Sequence, residues 1–435
     1  MKLTAFQADK GDCLLLETAD RKNRMLIDGG MRRAYTAHVT PALGALRKAK
    51  KKLNVVYVSH IDEDHIAGVL QMLDDEARWR VYEHHVKNGN LDYPKPEAPR
   101  PPEIGAIFHN SFHDQVGNNS GRIENMLAAT ATILSGSDHP WLRQVVEQRQ
   151  NLVTSIQQAM KVSQRIKAQQ LKIPLNPQFA GKLMMVTNEA PQISLGSITL
   201  KVIGPFPSDM MKLRKEWNAW VEKNQKTVET IQTQARSDAS ILSASEVDRL
   251  LGPLLGASRQ LGATELALAK QLGNRKKVTT PNLASLMFLA EENGTTMLLT
   301  GDGHADDILK GLEHQRAFDA SGRMHVNVLK VQHHGAEHNI HRDFCDRVSA
   351  DNYVFCGNGE HHNPDLEAVQ LVFDRRMAND EKAFKFWFNS TSKRSISAAG
   401  RAHMKKLETL VAKLAAKSEG RMTSKFIKGS SLRIL

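Results

Sequence analysis

The chain has 435 residues, enough for one large domain or two medium ones with an ample core. Hydrophobic residues make up 41% and charged residues 24%, a globular balance that excludes wholesale disorder. Lys and Arg outnumber Asp and Glu by 59 to 47, and the net charge of +12 favours anionic partners without naming one.

Residues 3–8 and 13–17 read as short strands around a Gly11-Asp12 turn. A third strand, 24–28, closes at Gly29-Gly30, and a helix covers 40–50. The run from Leu53 to Ser59 is almost continuously apolar, as a buried strand is, and it ends at His60. Residues 66–73 open another helix. Five Pro between Tyr93 and Pro102 mark a loop, and the strand 104–108 after it ends at His109. From 121 to 170 the pattern is helical, with Leu152, Ile156, Met160 and Ile166 on one apolar stripe. A strand returns at 198–203. A second helical stretch carries Leu213, Trp217, Val221, Val228 and Ile231 and runs to 271. The β/α rhythm resumes with strands at 283–289, 296–300, 326–331, 353–356 and 384–388.

The chain therefore divides into two halves of an α/β core, 1–120 and 276–400, with a core strand at 191–208 between helical insertions at 121–190 and 209–275. A basic C-terminal extension, 401–435, follows. The insertions are expected to pack on the core or on themselves, the alternative being a homo-oligomer or protein-partner surface. From residue 393 to the end, 11 Lys/Arg stand against Glu408 and Glu419. This stretch and the run Arg47 to Lys52 are solvated faces or phosphate-binding surfaces. No apolar stretch approaches the roughly 18 residues of a membrane span, and residues 1–10 do not read as a secretory signal. Three Cys form no disulfide framework, which points to a reducing cytoplasm.

The chemistry lies at strand ends. Ser59-His60-Ile61-Asp62-Glu63-Asp64-His65 places His60, Asp62, Asp64 and His65 in one turn directly after a buried strand. Desolvating several carboxylates together without a cation is costly, whereas a divalent metal accounts for both the acids and the imidazoles. His with carboxylate suits zinc, manganese or iron. Thr300-Gly301-Asp302 delivers one carboxylate from a second strand, and Gln332-His333-His334-Gly335 ends a third in imidazoles. Adjacent residues of an extended chain point to opposite sides, so only one of His333 and His334 is expected on the metal.

The order of these pieces resembles the metallo-β-lactamase superfamily. Its usual His-x-His-x-Asp-His motif stands here as His60-x-Asp62-x-Asp64-His65. That variant is similar to the soluble hydrolase domain of the bacterial competence DNA-uptake channel and its stand-alone relatives. So are Lys10-Gly11-Asp12-Cys13, Asn282-x-x-Ser285, His333-His334-Gly335 and the turn Gly357 to Pro364. The resemblance covers about 1–115, 190–208 and 278–400. It implies a four-layered αβ/βα sandwich with one or two divalent ions, Zn²⁺ or Mn²⁺, at one edge. It also implies that Asp64 and His65 hold one ion and His60 the other with Asp62. Asp302 would bridge them, and His333 or His334 would complete the set. Asp28 would orient the motif loop, and His109 would be the remaining ligand, with His113 as the alternative. His362, His334 or Asn282 would donate a hydrogen bond to substrate, and Ser285 would support the loop. The implied activity is metal-dependent hydrolysis, with nucleic acid as the expected substrate through the basic surface and C-terminus. A small-molecule hydrolase or an assembly module are the alternatives.

Overall fold

The computed structural model describes residues 1–111, 158–212, 214–215, 284–379 and 382–435. Six strands form the first sheet: β1 (Lys2–Phe6), β2 (Leu14–Glu17), β3 (Arg24–Ile27), β4 (Leu53–Tyr57), β5 (Ile104–Phe108) and β14 (Ser431–Arg433). Their order is β14-β1-β2-β3-β4-β5. The second sheet has eight strands: β6 (Ile193–Leu195), β7 (Ile198–Gly204), β8 (Met287–Glu292), β9 (Thr295–Leu299), β10 (Met324–Lys330), β11 (Val348–Phe355), β12 (Phe384–Phe388) and β13 (Met422–Phe426). They run from β13 at one edge to β6 at the other.

Alternation along the strands builds the layers. Leu14, Leu16, Met25 and Ile27 of the first sheet face Phe288, Leu299, Val354 and Trp387 of the second across a shared core. Leu15, Leu26 and Val56 point the other way. There they meet Tyr35 and Val39 just after α1 (Arg32–Ala34), α2 (Thr40–Lys48), α3 (Glu63–Lys87) and the helical residues 158–166. The outer face of the second sheet carries α4 (Ala305–His314), α5 (Arg342–Arg347), α6 (Leu366–Asn379) and α7 (Ala398–Lys417). The result is the four-layered αβ/βα sandwich expected from the sequence. The parallel strands β3, β4 and β5 and the parallel block β9 to β13 end at the same edge, where the motif loops emerge.

Four elements differ from the sequence reading. Helix α3 begins at Glu63 rather than 66, so Asp64 and His65 occupy its first turn with Asp62 as N-cap residue. Carboxylates are favoured there by the helix dipole. Strand β8 begins at Met287 rather than 283, because Ser285 and Leu286 are committed to loop contacts with Asp302 N and Ser59 O. Within the stretch expected as the first insertion, residues 173–176 lie along β5, with Ile107 bonding Pro174 O and Asn176 bonding Ile107 O. Residues 401–435 are no appendage: β13 pairs with β12, β14 pairs with β1, and both sheets gain an edge strand. Alternation of Lys and Arg with buried Met422, Ile427, Leu432 and Ile434 hid these strands behind the charge. Residues 112–157, 213 and 216–283, with Leu152, Ile156, Leu213, Trp217, Val221, Val228 and Ile231, lie outside the described residues. Among those described, no helix is long and apolar enough to cross a membrane.

Truncation after residue 420 tests the role of the last two strands. Losing four buried apolar side chains is expected to cost about 5 kcal/mol or more. Urea denaturation should show this as a lower midpoint, and an unchanged midpoint would refute the assignment.

Candidate metal centre

Asp302 stands in the left-handed turn that Gly301 makes after β9 (φ +49), is 2% exposed, and receives four imidazoles. His60 Nε2 lies 3.5 Å from its Oδ2, His333 Nε2 3.6 Å and His334 Nε2 3.5 Å, while His65 Nε2 lies 3.4 Å from its Oδ1. Each ring is held at its other nitrogen by a different group. Nδ1 of His60 contacts Ser59 Oγ (3.1 Å), and Nδ1 of His65 contacts Asp28 Oδ2 (2.9 Å). Nδ1 of His333 contacts Asn339 Oδ1 (2.7 Å), and Nδ1 of His334 contacts Asp12 Oδ1 (3.0 Å). Fixing one ring nitrogen with an outer acceptor is how proteins aim the other at a metal.

Local backbone explains the convergence. Asp28 has φ +55 at the end of β3, and its carboxylate also accepts from Ser59 N (2.7 Å) and Ser59 Oγ (2.8 Å). One residue therefore locks the start of the motif loop and the first turn of α3. The extended-chain argument for His333 and His334 does not hold. Both adopt left-handed conformations (φ +45 and +56) in a short turn after β10, which swings both Nε2 atoms to Asp302. Such backbone costs about 1–3 kcal/mol per residue and persists where its surroundings enforce it.

Asp64 completes the cluster, with Oδ2 3.3 Å from His334 Nε2 and Oδ1 4.0 Å from His65 Nε2. Asp64, His65, His334 and Asp302 thus form one compact donor set. His60, His333 and Asp302 form the other, with Asp62 Oδ2 3.6 Å from His60 Nε2 at the partly exposed rim. His109 is buried at the end of β5, held by Asn176 through paired backbone contacts of 2.8 Å. Burial outweighs the Val58 carbonyl and, with nearby His60, lowers its pKa to about 4, so its imidazole is neutral.

The residues fit a divalent ion. Donors about 2.1 Å from a tetrahedral ion stand roughly 3.4 Å apart, and the observed Nε2–carboxylate spacings are 3.4–3.6 Å. These spacings are long for hydrogen bonds. His60 Nε2 and Asp302 Oδ1 make no hydrogen bond among the described residues. His65 Nε2 and His334 Nε2 face each other at 3.3 Å. The buried carboxylates Asp12, Asp28 and Asp302, with Asp64 beside them, are met by one buried lysine, Lys330. A cation is what balances that charge.

Lys330 and Asp12 were not singled out from the sequence as site residues. Lys330 Nζ pairs with Asp12 Oδ2, donates to Gly301 O (3.0 Å) and lies 3.7 Å from Asp302 Oδ1. Burial opposes its charge, but Asp12 and Asp302 outweigh that and raise its pKa. A lysine closing an apolar strand was the available signal. Asp12 shares a tight cluster with His65, Asp302 and His334. Its two oxygens are engaged by Lys330 and His334 Nδ1, so it orients a ligand rather than serving as one.

His362 follows His361 in the turn before α6. Its ring packs edge-on against His403 of α7 at 5.4 Å. His361, in a left-handed turn (φ +54), is the imidazole that senses Lys10, Asp64 and His334. Ser285 Oγ accepts from Asp302 N (3.3 Å) and so supports the loop. Asn282 and His113 lie outside the described residues. His84 and His85 sit at the end of α3, with His85 stacked on Tyr93 at 3.9 Å, far from the cluster in the fold.

Without metal the centre holds protons. Burial lowers the His334 pKa, but Asp302 and Asp12 outweigh it and raise it to about 9; His65 is raised well above its usual range by Asp302 and Asp28 against the same penalty. Asp302 is held well below the carboxylate range, since the four imidazoles together outweigh its burial. Metal binding at pH 7 is therefore expected to release at least one proton. Apparent affinity should rise up to pH 9, by about tenfold per pH unit for each proton displaced. Calorimetry in buffers of different ionisation enthalpy measures this, and buffer-independent heats would contradict it. Lys330→Met removes the ammonium paired with Asp12 Oδ2 and leaves that buried oxygen without its charged partner, His334 holding only Oδ1. It is expected to cost about 3–5 kcal/mol of stability in urea unfolding, and a neutral result would refute the ion pair.

Residues 7–124 match the family model of the metallo-beta-lactamase superfamily. No curated protein sequence matches the chain.

Proposed function

We propose, from the match of residues 7–124 to the metallo-beta-lactamase superfamily and from the candidate metal centre, that this chain is a metal-dependent phosphodiesterase acting on DNA or RNA. The observation that carries the hydrolytic reading is the convergence of four imidazole Nε2 atoms on the buried carboxylate of Asp302. A divalent ion bound there supplies Lewis-acid polarisation of a substrate oxygen and a water of lowered pKa. No side-chain nucleophile is required of the protein.

The chain's own residues do the rest. Asp64, His65, His334 and Asp302 hold one ion; His60, His333, Asp302 and Asp62 hold a second. Asp12, Asp28, Ser59 and Asn339 keep the four rings aimed, so little reorganisation accompanies reaction. Asp302 carries its negative charge at neutral pH and has a place at both donor sets. His361 stands at the mouth on the side of Asp64 and Lys10, where it donates to a phosphoryl or leaving oxygen. A polyanionic substrate suits a chain of net charge +12 whose basic residues gather toward the C-terminus.

The test is cleavage of labelled single- and double-stranded DNA and RNA with Mn²⁺ or Zn²⁺. Wild type should cut, with activity falling steeply as salt rises. Asp302→Asn and the Asp64→Ala/His65→Ala variant should each lose at least about a thousandfold. Metal-loaded protein that cuts none of these substrates would remove nucleic acid from the reading and bring small phosphodiesters and lactones forward.

A further inference from the structure

Beside the metal centre lies an open cavity of about 780 Å³ that none of the reaction groups fills. Its lining joins three distant parts of the chain: Asp9 and Lys10 before β2, Met31 to Ala37 around α1, and Asn358, Glu360 and Ile396 from the C-terminal half. The cavity adjoins the centre at two points. Lys10 precedes Gly11, which packs so closely on the motif loop that a Cβ there would lie 1.8 Å from Asp64 O. Glu360 precedes His361, which interacts with both Lys10 and Asp64.

The chemistry of this lining is two-sided. Met31, Ala37 and Ile396 give an apolar wall, and Ile396 is 56% exposed, one of few large apolar side chains left so among the described residues. Lys10, Arg32 and Arg33 give a cationic rim. The lining also carries two carboxylates, each held by a neutral donor, Asp9 Oδ1 by Gln7 Nε2 (3.2 Å) and Glu360 Oε1 by Ser397 N (3.0 Å), so the three cations outnumber the acids. Arg32 Nε donates to Gln71 Oε1 (2.6 Å), which anchors that side chain, while Lys10 and Arg33 enter no ion pair among the described residues. The basic C-terminal stretch adds to the same rim. Arg401 Nη1 donates to Ile396 O (2.6 Å), and Arg394 Nη2 donates to Lys428 O (2.8 Å).

We propose that this cavity binds one nucleotide adjoining the scissile phosphate, its base against Met31 and Ile396 and its phosphate on Lys10, Arg32 and Arg33. The proposal rests on the phosphodiesterase reading and deepens it. A flat base covers apolar surface without sequence demands, and guanidinium groups bind phosphate through paired donors, so the site selects a nucleotide chain over a simple phosphate ester. The volume lies within the range of pockets that enclose small ligands.

Two substrates separate this site from the metal centre. Bis(p-nitrophenyl) phosphate offers the reacting phosphate alone, and 5′-phosphothymidine 3′-(p-nitrophenyl phosphate), the thymidine ester, adds one nucleoside with a second phosphate. Wild type, Arg33→Glu and Ile396→Asp are compared by the ratio of kcat/KM on the two, so that a poorly folded preparation cancels. Each variant is expected to lower that ratio about tenfold, through KM on the thymidine ester. A ratio equal to wild type in both variants overturns the nucleotide site while leaving the phosphodiesterase reading intact. Wild type that favours bis(p-nitrophenyl) phosphate over the thymidine ester overturns the site and the nucleic acid substrate together. Hydrolysis of neither by metal-loaded protein overturns the phosphodiesterase reading itself.

Discussion

A buried carboxylate needs compensation, and the fold is arranged around supplying it to Asp302. Its oxygens are buried in the turn after β9, out of water, where an unpaired charge would cost several kcal/mol. The compensation comes from separate parts of the chain: His60 and His65 after β4, Lys330 at the end of β10, and His333 and His334 in the turn beyond it. None of these groups is a sequence neighbour of Asp302. The centre therefore exists only when the parallel strands of both sheets end at the same edge.

The outer partners show that the imidazoles are placed rather than merely present. Asp28 holds His65 from the first sheet, and Asp12 holds His334 across the gap between sheets. Asp12 in turn is held by Lys330, whose Nζ also reaches Gly301 O under the Asp302 turn. This chain of contacts links the β1–β2 turn to β9 and β10. It explains why Gly11 and Gly301 stand where they do. Gly11 lets the β1–β2 turn touch the backbone of Asp64, and Gly301 takes the left-handed turn that presents Asp302 with Ser59 close behind it.

Much of this was legible because strand ends carried unusual residues. An apolar run ending in His60 and a strand ending in Gly301-Asp302 announce chemistry, since such side chains are expensive to bury without a purpose. Legibility failed where conformation departed from the local average. The local pattern presents His333 and His334 as an extended pair, and two successive left-handed residues cannot be inferred from propensity. His361 and His362 raise the same difficulty, both with positive φ, and the His362 ring packs on His403. Asp12 and Lys330 escaped because each looks ordinary alone, one in a turn and the other closing a strand. Their meaning is a pair, and pairing across 318 positions is not written in local pattern.

The basic C-terminus shows how charge can mislead about architecture while pointing toward binding. Net charge describes the solvent face of a segment, whereas its place in the fold follows from the residues between the charges. Met422, Ile427, Leu432 and Ile434 are buried, and they draw β13 and β14 into the two sheets. The Lys and Arg residues interleaved with them must then face outward. Because β14 pairs with β1, the tail crosses to the N-terminal sheet, and His38 Nδ1 meets Ser430 Oγ there (3.1 Å). The same strand pairing that completes the core thus brings cationic side chains from both ends of the chain together on the first sheet. An anion approaching that surface meets charge from residues far apart in sequence, set in place by apolar side chains it never touches.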